Sequence, residues 1–427
     1  MDSLQLTSNS KTPRVIMAED NTSISDLALL AERDPQQFQL RVEGTRSLEF
    51  AGDDSVHHVA FRGSKFPALE RLVLDASDQN DEDSLKPYLQ PALKEFSFFG
   101  GPISDAFLKT LQESSPGLEE LLIDNPRNLI SPDGFIRFLS GANALKRLSI
   151  MYGMDRAITD DVFVALSTLP NLQSLRFTYT VTPELVSFAK SQQLKKCGEA
   201  QLFPCLNELV CTVHLEGLCG LLPHLRQLSD LDATILSKDV HSSSLDTFLR
   251  DISTYASNLS ALKLQYSETV HASIDPANLV HLAQALTHLQ HMEISGDHIR
   301  VTGLGTDHFA KITQALPNLK VLRLAFQCSL SEAALVELSQ TCGGVMTNCE
   351  LWGSYALHNL EGTGVSLPAL QELVLGKLVP PTPDGTNDQA VRAARVVKEM
   401  APNLESFDVI SEDPFSTLVQ TAWKGLA

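Results

Sequence analysis

A histidine trio and a cysteine quartet come nearest, in residue type and spacing, to carrying chemistry in this chain. His281, His288 and His291 lie close together, and imidazole is a common transition-metal ligand. A metal needs its ligands gathered in one place, yet the helical period carries His281 and His288 whereas His291 opens the strand that follows. Solvated surface histidines are therefore expected, with no metal site. Cys197, Cys205, Cys211 and Cys219 are spaced 8, 6 and 8 residues apart, which matches no common zinc arrangement. Gly303-Leu304-Gly305-Thr306 lacks both the lysine of a phosphate loop and its strand–helix setting. Neither Gly-x-Ser-x-Gly nor His-Glu-x-x-His occurs. The expectation is a chain that is not an enzyme and takes no cofactor.

Charge narrows the partners. The 427 residues carry 33 Lys and Arg against 52 Asp and Glu, a formal net charge of −19. That surplus repels phosphate, which argues against a general nucleic-acid binder or a protein of anionic membrane surfaces. It favours a protein partner with a basic surface. The first twenty residues lack the apolar core of a secretory signal, and no apolar run is long enough to span a bilayer. Seven cysteines without a regular framework fit a reduced setting, cytoplasmic or nuclear.

Internal repetition organises the chain. FPALERLVLD, from Phe66 to Asp75, recurs as SPGLEELLID, LPNLQSLRFT, LPNLKVLRLA and nine further variants, each an L-x-x-L-x-L frame. The first frame position runs from Leu69 through Leu93, Leu118 and Leu145 to Leu404, thirteen copies at a mean spacing of about 28 residues. The fourth and sixth positions point into a core because strand side chains alternate faces. Between frames the apolar residues recur at helical spacing, as in Phe107, Leu108 and Leu111. Ser104, Thr159 and Ser331 supply N-cap oxygens, and Thr182-Pro183 and Asp275-Pro276 place proline in a first helical turn. One such unit cannot cover its own apolar face, so the units must stack.

Segments such as Ile103–Ile123 and Ile158–Phe177 resemble the leucine-rich repeats of F-box/LRR proteins and of the ribonuclease-inhibitor type. The resemblance rests on Ile158-Thr159-Asp160 opening a helix, on Cys342, Pro116, Pro170 and Pro317 before strands, and on the frame itself. It covers about residues 40–410, with Ser77 and Gly153 standing where the family has Cys or Asn after the strand. It implies an α/β leucine-rich repeat solenoid (horseshoe) with a parallel concave sheet and outer helices. It also implies protein–protein recognition, most like the substrate-recognition repeats of F-box/LRR proteins, with a cullin-ligase adaptor as a second partner. No Leu-Pro-type F-box start precedes the repeats. An inhibitor of a basic enzyme, and an enzyme or accessory with a small-molecule pocket at the rim loops, are the rival readings.

Four parts are expected: a disordered tail over 1–22, a cap over 23–65 with strand-like SLEF and HHVAF, the array over 66–412, and a closing helix over 413–427 plugged by Trp423. Longer connections at Gln192–Phe203, Leu236–Asp246, Gly296–Asp307 and Leu378–Asp388 are candidate specificity loops. The third, fifth and seventh frame positions should project from the inner sheet. Eleven are acidic against five basic (Arg71, Arg147, Arg176, Lys263 and Arg323). Phe99, Leu122 and Met151 should form one apolar patch, and Trp352 should stand near Val374 and Arg323. Aromatic and arginine side chains dominate interface energetics, so the candidate partner-binding residues are Phe99, Leu122, Met151, Arg176, Arg323 and Trp352.

Overall fold

Leucines at the first, fourth and sixth frame positions bury themselves in every copy, and this drives the fold. A computed structural model describes residues 23–50, 52–77, 82–127, 130–198, 200–236 and 242–426. All three apolar positions of all thirteen frames are at most 8% exposed. The chain divides into two compact units, Met1–Thr178 with Phe203–Cys205 and Tyr179–Leu202 with Leu206–Ala427. The expected tail over 1–22 lies outside the described residues, as do 237–241 within the Leu236–Asp246 connection.

The first unit holds strands β1 (Ser47–Phe50), β2 (Arg71–Asp75), β3 (Glu95–Phe99), β4 (Glu120–Asp124), β5 (Arg147–Ile150) and the start of β6 (Ser174–Val181). They pair in parallel in chain order, fourth frame position beside fourth: Leu72 with Phe96, Leu121 with Leu148. In the second unit lie β7 (Glu208–Val213), β8 (Asp230–Ile235), β9 (Ala261–Tyr266), β10 (Ala272–Ser273) and β11 (His291–Val301). They are followed by β12 (Val321–Cys328), β13 (Asn348–Tyr355), β14 (Glu372–Leu378) and β15 (Ser406–Val409). Here too neighbours are parallel and in register, Leu322 between Met292 and Cys349. Parallel neighbours need a crossover, and the intervening helices supply it while covering one sheet face. Alternate strand residues are buried and half-exposed, so the other face is left open.

Cap and connections depart from expectation in three places. SLEF does form β1, but it belongs to the frame: Thr45, Leu48 and Phe50 are buried and Leu48 pairs with Leu72. Threonine in place of the first leucine hid this fourteenth copy. HHVAF is the end of a 3-10 helix, Gly52–Phe61, not a strand. Its His58 and Phe61 turn inward against Phe50. Gly296–Asp307 is only partly a loop, since β11 runs on to Val301 and pairs again with β12 at Arg300 beside Gln327. At the C-terminal end the helix Pro414–Leu426 buries Trp423 edge-on against Phe407, ring centroids 5.9 Å apart.

Helix starts show how one repeat grips the next. Ser104 and Thr159 cap their helices as expected; Pro183 and Pro276 open theirs as expected, and Thr182 and Asp275 before them also cap. Ser131 does likewise, and its N–H and hydroxyl both donate to the carboxylate of Asp105 in the previous helix, at 2.8 and 2.5 Å. Glu82 holds the N–H and hydroxyl of Ser104 in the same way, at 3.0 and 2.9 Å. Ser331 is the exception: it makes no side-chain cap, and Glu332 beside it reaches forward to the Ala356 N–H (3.0 Å) and Asn359 (2.7 Å). Hydrogen bonds to a charged acceptor are each worth about 1.5–3 kcal/mol net. Asp105 is part-solvated, so Asp105→Ala should destabilise the first unit by about 2 kcal/mol. Urea unfolding checks this, with Asp133→Ala as the comparison.

Candidate recognition surface on the open strand face

On the first unit, Phe99, Leu122 and Met151 are all half-buried on the open face, but they do not form the single patch expected. Register sets Phe99 beside Asp124, while the Met151 N–H bonds the Ile123 carbonyl on the other side of it. Asp124 thus divides Phe99 from Met151 in the seventh-position row, and Leu122 lies in the fifth-position row. Burial pushes the Asp124 carboxyl above its ordinary value. Arg176 is exposed on β6 beside Ser149, in the row of Leu122.

The charges of this face are knitted across strands. Arg147 bonds Glu120 and lies 3.8 Å from Glu95, while Arg71 reaches Glu49 (3.5 Å) and Glu95 (3.6 Å). In the second unit the fifth position of five successive copies alternates in sign: Asp232, Lys263, Glu293, Arg323, Glu350. Lys263 sits 3.3 Å from Asp232, and Arg323 spans Glu293 (3.5 Å) and Glu350 (2.6 Å). Such pairs add little stability; their effect is to fix side chains and use up the cations. At the third, fifth and seventh frame positions of this unit the acidic residues are Glu208, Asp230, Asp232, Glu293, Glu350, Glu372 and Asp408, and the Lys and Arg residues are Lys263 and Arg323.

Trp352 and Arg323 meet through one carboxylate, as their expected proximity requires. The Trp352 indole Nε1–H donates to Glu350 Oε1 at 3.0 Å while Arg323 Nε lies 2.6 Å from Oε2. Glu350 itself is only 16% exposed, so it acts as a hub rather than a contact. Val374 pairs with Glu350 on the next strand. Beside them a cleft of about 310 Å³ is lined by His291, Glu293, Arg323, Glu350, Glu372 and Val374. The signal for this hub was the alternation of sign down the fifth positions, which is visible only once copies are aligned to one another.

His281 is exposed on the helix Pro276–Ala285, His288 lies beyond the end of that helix rather than on it, and His291 stands on β11. Among the described residues no group of three or more candidate ligands could hold a metal ion. Burial raises the thiols of Cys211 and Cys219 to about 12 and that of Cys328 to about 11, which keeps them protonated and poorly nucleophilic. No helix of the described residues is long and apolar enough to cross a membrane.

Strand, helix and frame together define a leucine-rich repeat architecture of the α/β kind. No family model and no curated protein matches the chain. Solved structures similar to it include the following two. The yeast Rad7–Elc1 complex matches at 16% identity over 91% of this chain and 83% of that one, with a TM-score of 0.44. The leucine-rich repeat-containing protein LegL7 of Legionella pneumophila matches at 10% identity over 72% and 90%, with a TM-score of 0.33. Likenesses this distant decide nothing about function.

Proposed function

We propose that the chain is a non-catalytic recognition scaffold whose second-unit strand face binds a basic segment of a protein partner. This is the role implied by the resemblance to F-box/LRR repeats. One observation carries it: Lys263 and Arg323 of that face are already tied to carboxylates, leaving Glu372 and Asp408 as surplus negative charge on the two strands beyond half-buried Trp352, with Asp230 further along the face on β8. Complementary charge speeds encounter and selects partners, and an aromatic anchor supplies contact energy. Residues 23–50 and 52–65 contribute β1 and a buried aromatic cluster to the repeat core, which supports reading them as a cap. Six described cysteines are all unpaired, in keeping with a reducing cytoplasm or nucleus.

A flexible Lys/Arg-rich peptide, set against a Glu/Asp-rich peptide of equal length, tests the proposal by titration calorimetry. The basic peptide should bind, and rising salt should weaken it. Asp230→Lys combined with Glu372→Lys should cost about tenfold in affinity or more. Equal binding of both peptides, or no effect of the double reversal, would overturn the proposal.

A further inference from the structure

Against its acidic background the second unit gathers cations at one corner that the strand face does not use. A cleft of about 400 Å³ is lined by Ala200, Gln201, Pro223, His224 and Arg226. Arg226, in the cleft wall, and Lys190, on the helix Pro183–Cys197 behind the residues that line it, both act electrostatically on the His224 imidazole. Partial burial first, and then these two positive charges, press His224 toward its neutral form. Lys195 and Lys196 fall in the last helical turn, where they answer the helix dipole. Lys190 lies earlier in the helix and has no such reason to be basic.

The sequence marks the same corner. Two residues before the first frame position, eight of the thirteen copies carry proline, from Pro67 to Pro402, and the rest carry Asn143, Arg226, Ser257, Thr287 or Gly344. Of these thirteen, only the copy at Leu228 carries a charge there; the fourteenth, at Thr45, has the opposite charge in Glu43. Pro supports the tight corner through its fixed φ, so replacing it with arginine gives up local rigidity for a guanidinium fork. Two fixed cations beside an imidazole able to gain a proton match a divalent oxyanion better than a carboxylate, because the arriving dianion recruits the third charge.

We infer that this corner is a binding site for a phosphate monoester, with Arg226 and Lys190 as fixed cations, Gln201 as a neutral donor and His224 as the group that protonates on binding. The site is separate from the proposed strand-face surface and does not depend on it.

The test follows the His224 ring proton by NMR in the full chain, the signal being identified by its loss in His224→Gln. Probes are acetyl-Ala-phosphoserine-Ala, its unphosphorylated form, and inorganic phosphate, all at constant ionic strength. Both phosphates should move the His224 titration midpoint up by about one pH unit, saturably, while exposed His281 stays in place. Tighter binding of the phosphopeptide assigns the source to a phosphorylated protein segment, and tighter binding of free phosphate assigns it to a small anion. Lys190→Gln with Arg226→Gln should weaken binding about tenfold or more with an unchanged thermal melt. A His224 response no larger than that of His281, the same response to the unphosphorylated peptide, or a full response in the double variant would overturn the inference.

Discussion

Glu350→Ala is expected to lower the affinity of the second-unit face for a basic peptide by about tenfold or more, with a stability loss of about 1–3 kcal/mol. Two effects act in the same direction. The substitution removes one negative charge, and it frees Arg323, which then keeps only Glu293 at 3.5 Å and projects positive charge toward an approaching cation. It also unties Trp352, whose indole N–H loses its acceptor. Glu350→Gln separates these contributions, because its amide oxygen still accepts from the indole while the charge is gone. Its affinity should fall between those of the parent and Glu350→Ala. Calorimetry of the three proteins with one peptide checks the order, and a Gln variant as weak as the Ala variant would assign the whole effect to charge.

Acid should loosen the first unit through a single histidine. His58 is fully buried between Phe50 and Tyr88. Its Nε2 lies 3.3 Å from the Asp75 carbonyl, which can only accept, so Nε2 carries the proton and Nδ1 accepts from the Tyr88 hydroxyl at 3.1 Å. A second proton on Nδ1 would remove that acceptor and bury a charge. Burial accordingly pushes His58 down to about 4, outweighing the attraction of Asp75 and reinforced by nearby His57. The unfolded chain takes up this proton near pH 6.5 and the folded chain does not until about pH 4. Stability is therefore intact above pH 6.5 and lost as pH falls across that window. The loss amounts to about 3 kcal/mol at most, at 1.36 kcal/mol per pH unit. Urea unfolding of the first unit at pH 7 and pH 4.5 should show most of it, and His58→Gln should flatten the slope over the same range. A parent slope equal to that of the variant would contradict the assignment.

The array was legible because its determinants are local and repeated. Leu72, Leu148 and Leu322 sit in one frame and all turn inward, the caps at Ser104 and Thr159 follow from a single oxygen before an apolar period, and Pro183 and Pro276 mark two further helix starts. What escaped was lateral or disguised. Thr45 masked the frame of β1, and HHVAF looked strand-like although it ends a 3-10 helix with His58 interior. Ser331 looked like a cap, yet Glu332 was drawn away to the next repeat. The candidate site followed the same division. The frame assigned Trp352, Arg323 and Val374 to the open face from spacing alone, whereas the hub at Glu350 and the intrusion of Asp124 between Phe99 and Met151 depend on register between strands far apart in sequence.

The chain has two tryptophans, Trp352 half-buried on the open face and Trp423 buried under the closing helix. In a Trp423→Phe variant the fluorescence of Trp352 alone reports on that face. Adding the Lys/Arg-rich peptide should shift its emission and shield it from acrylamide, in proportion to the calorimetric binding curve. Peptide binding that leaves Trp352 emission and quenching unchanged would mean that the open strand face of the second unit is not where the partner sits.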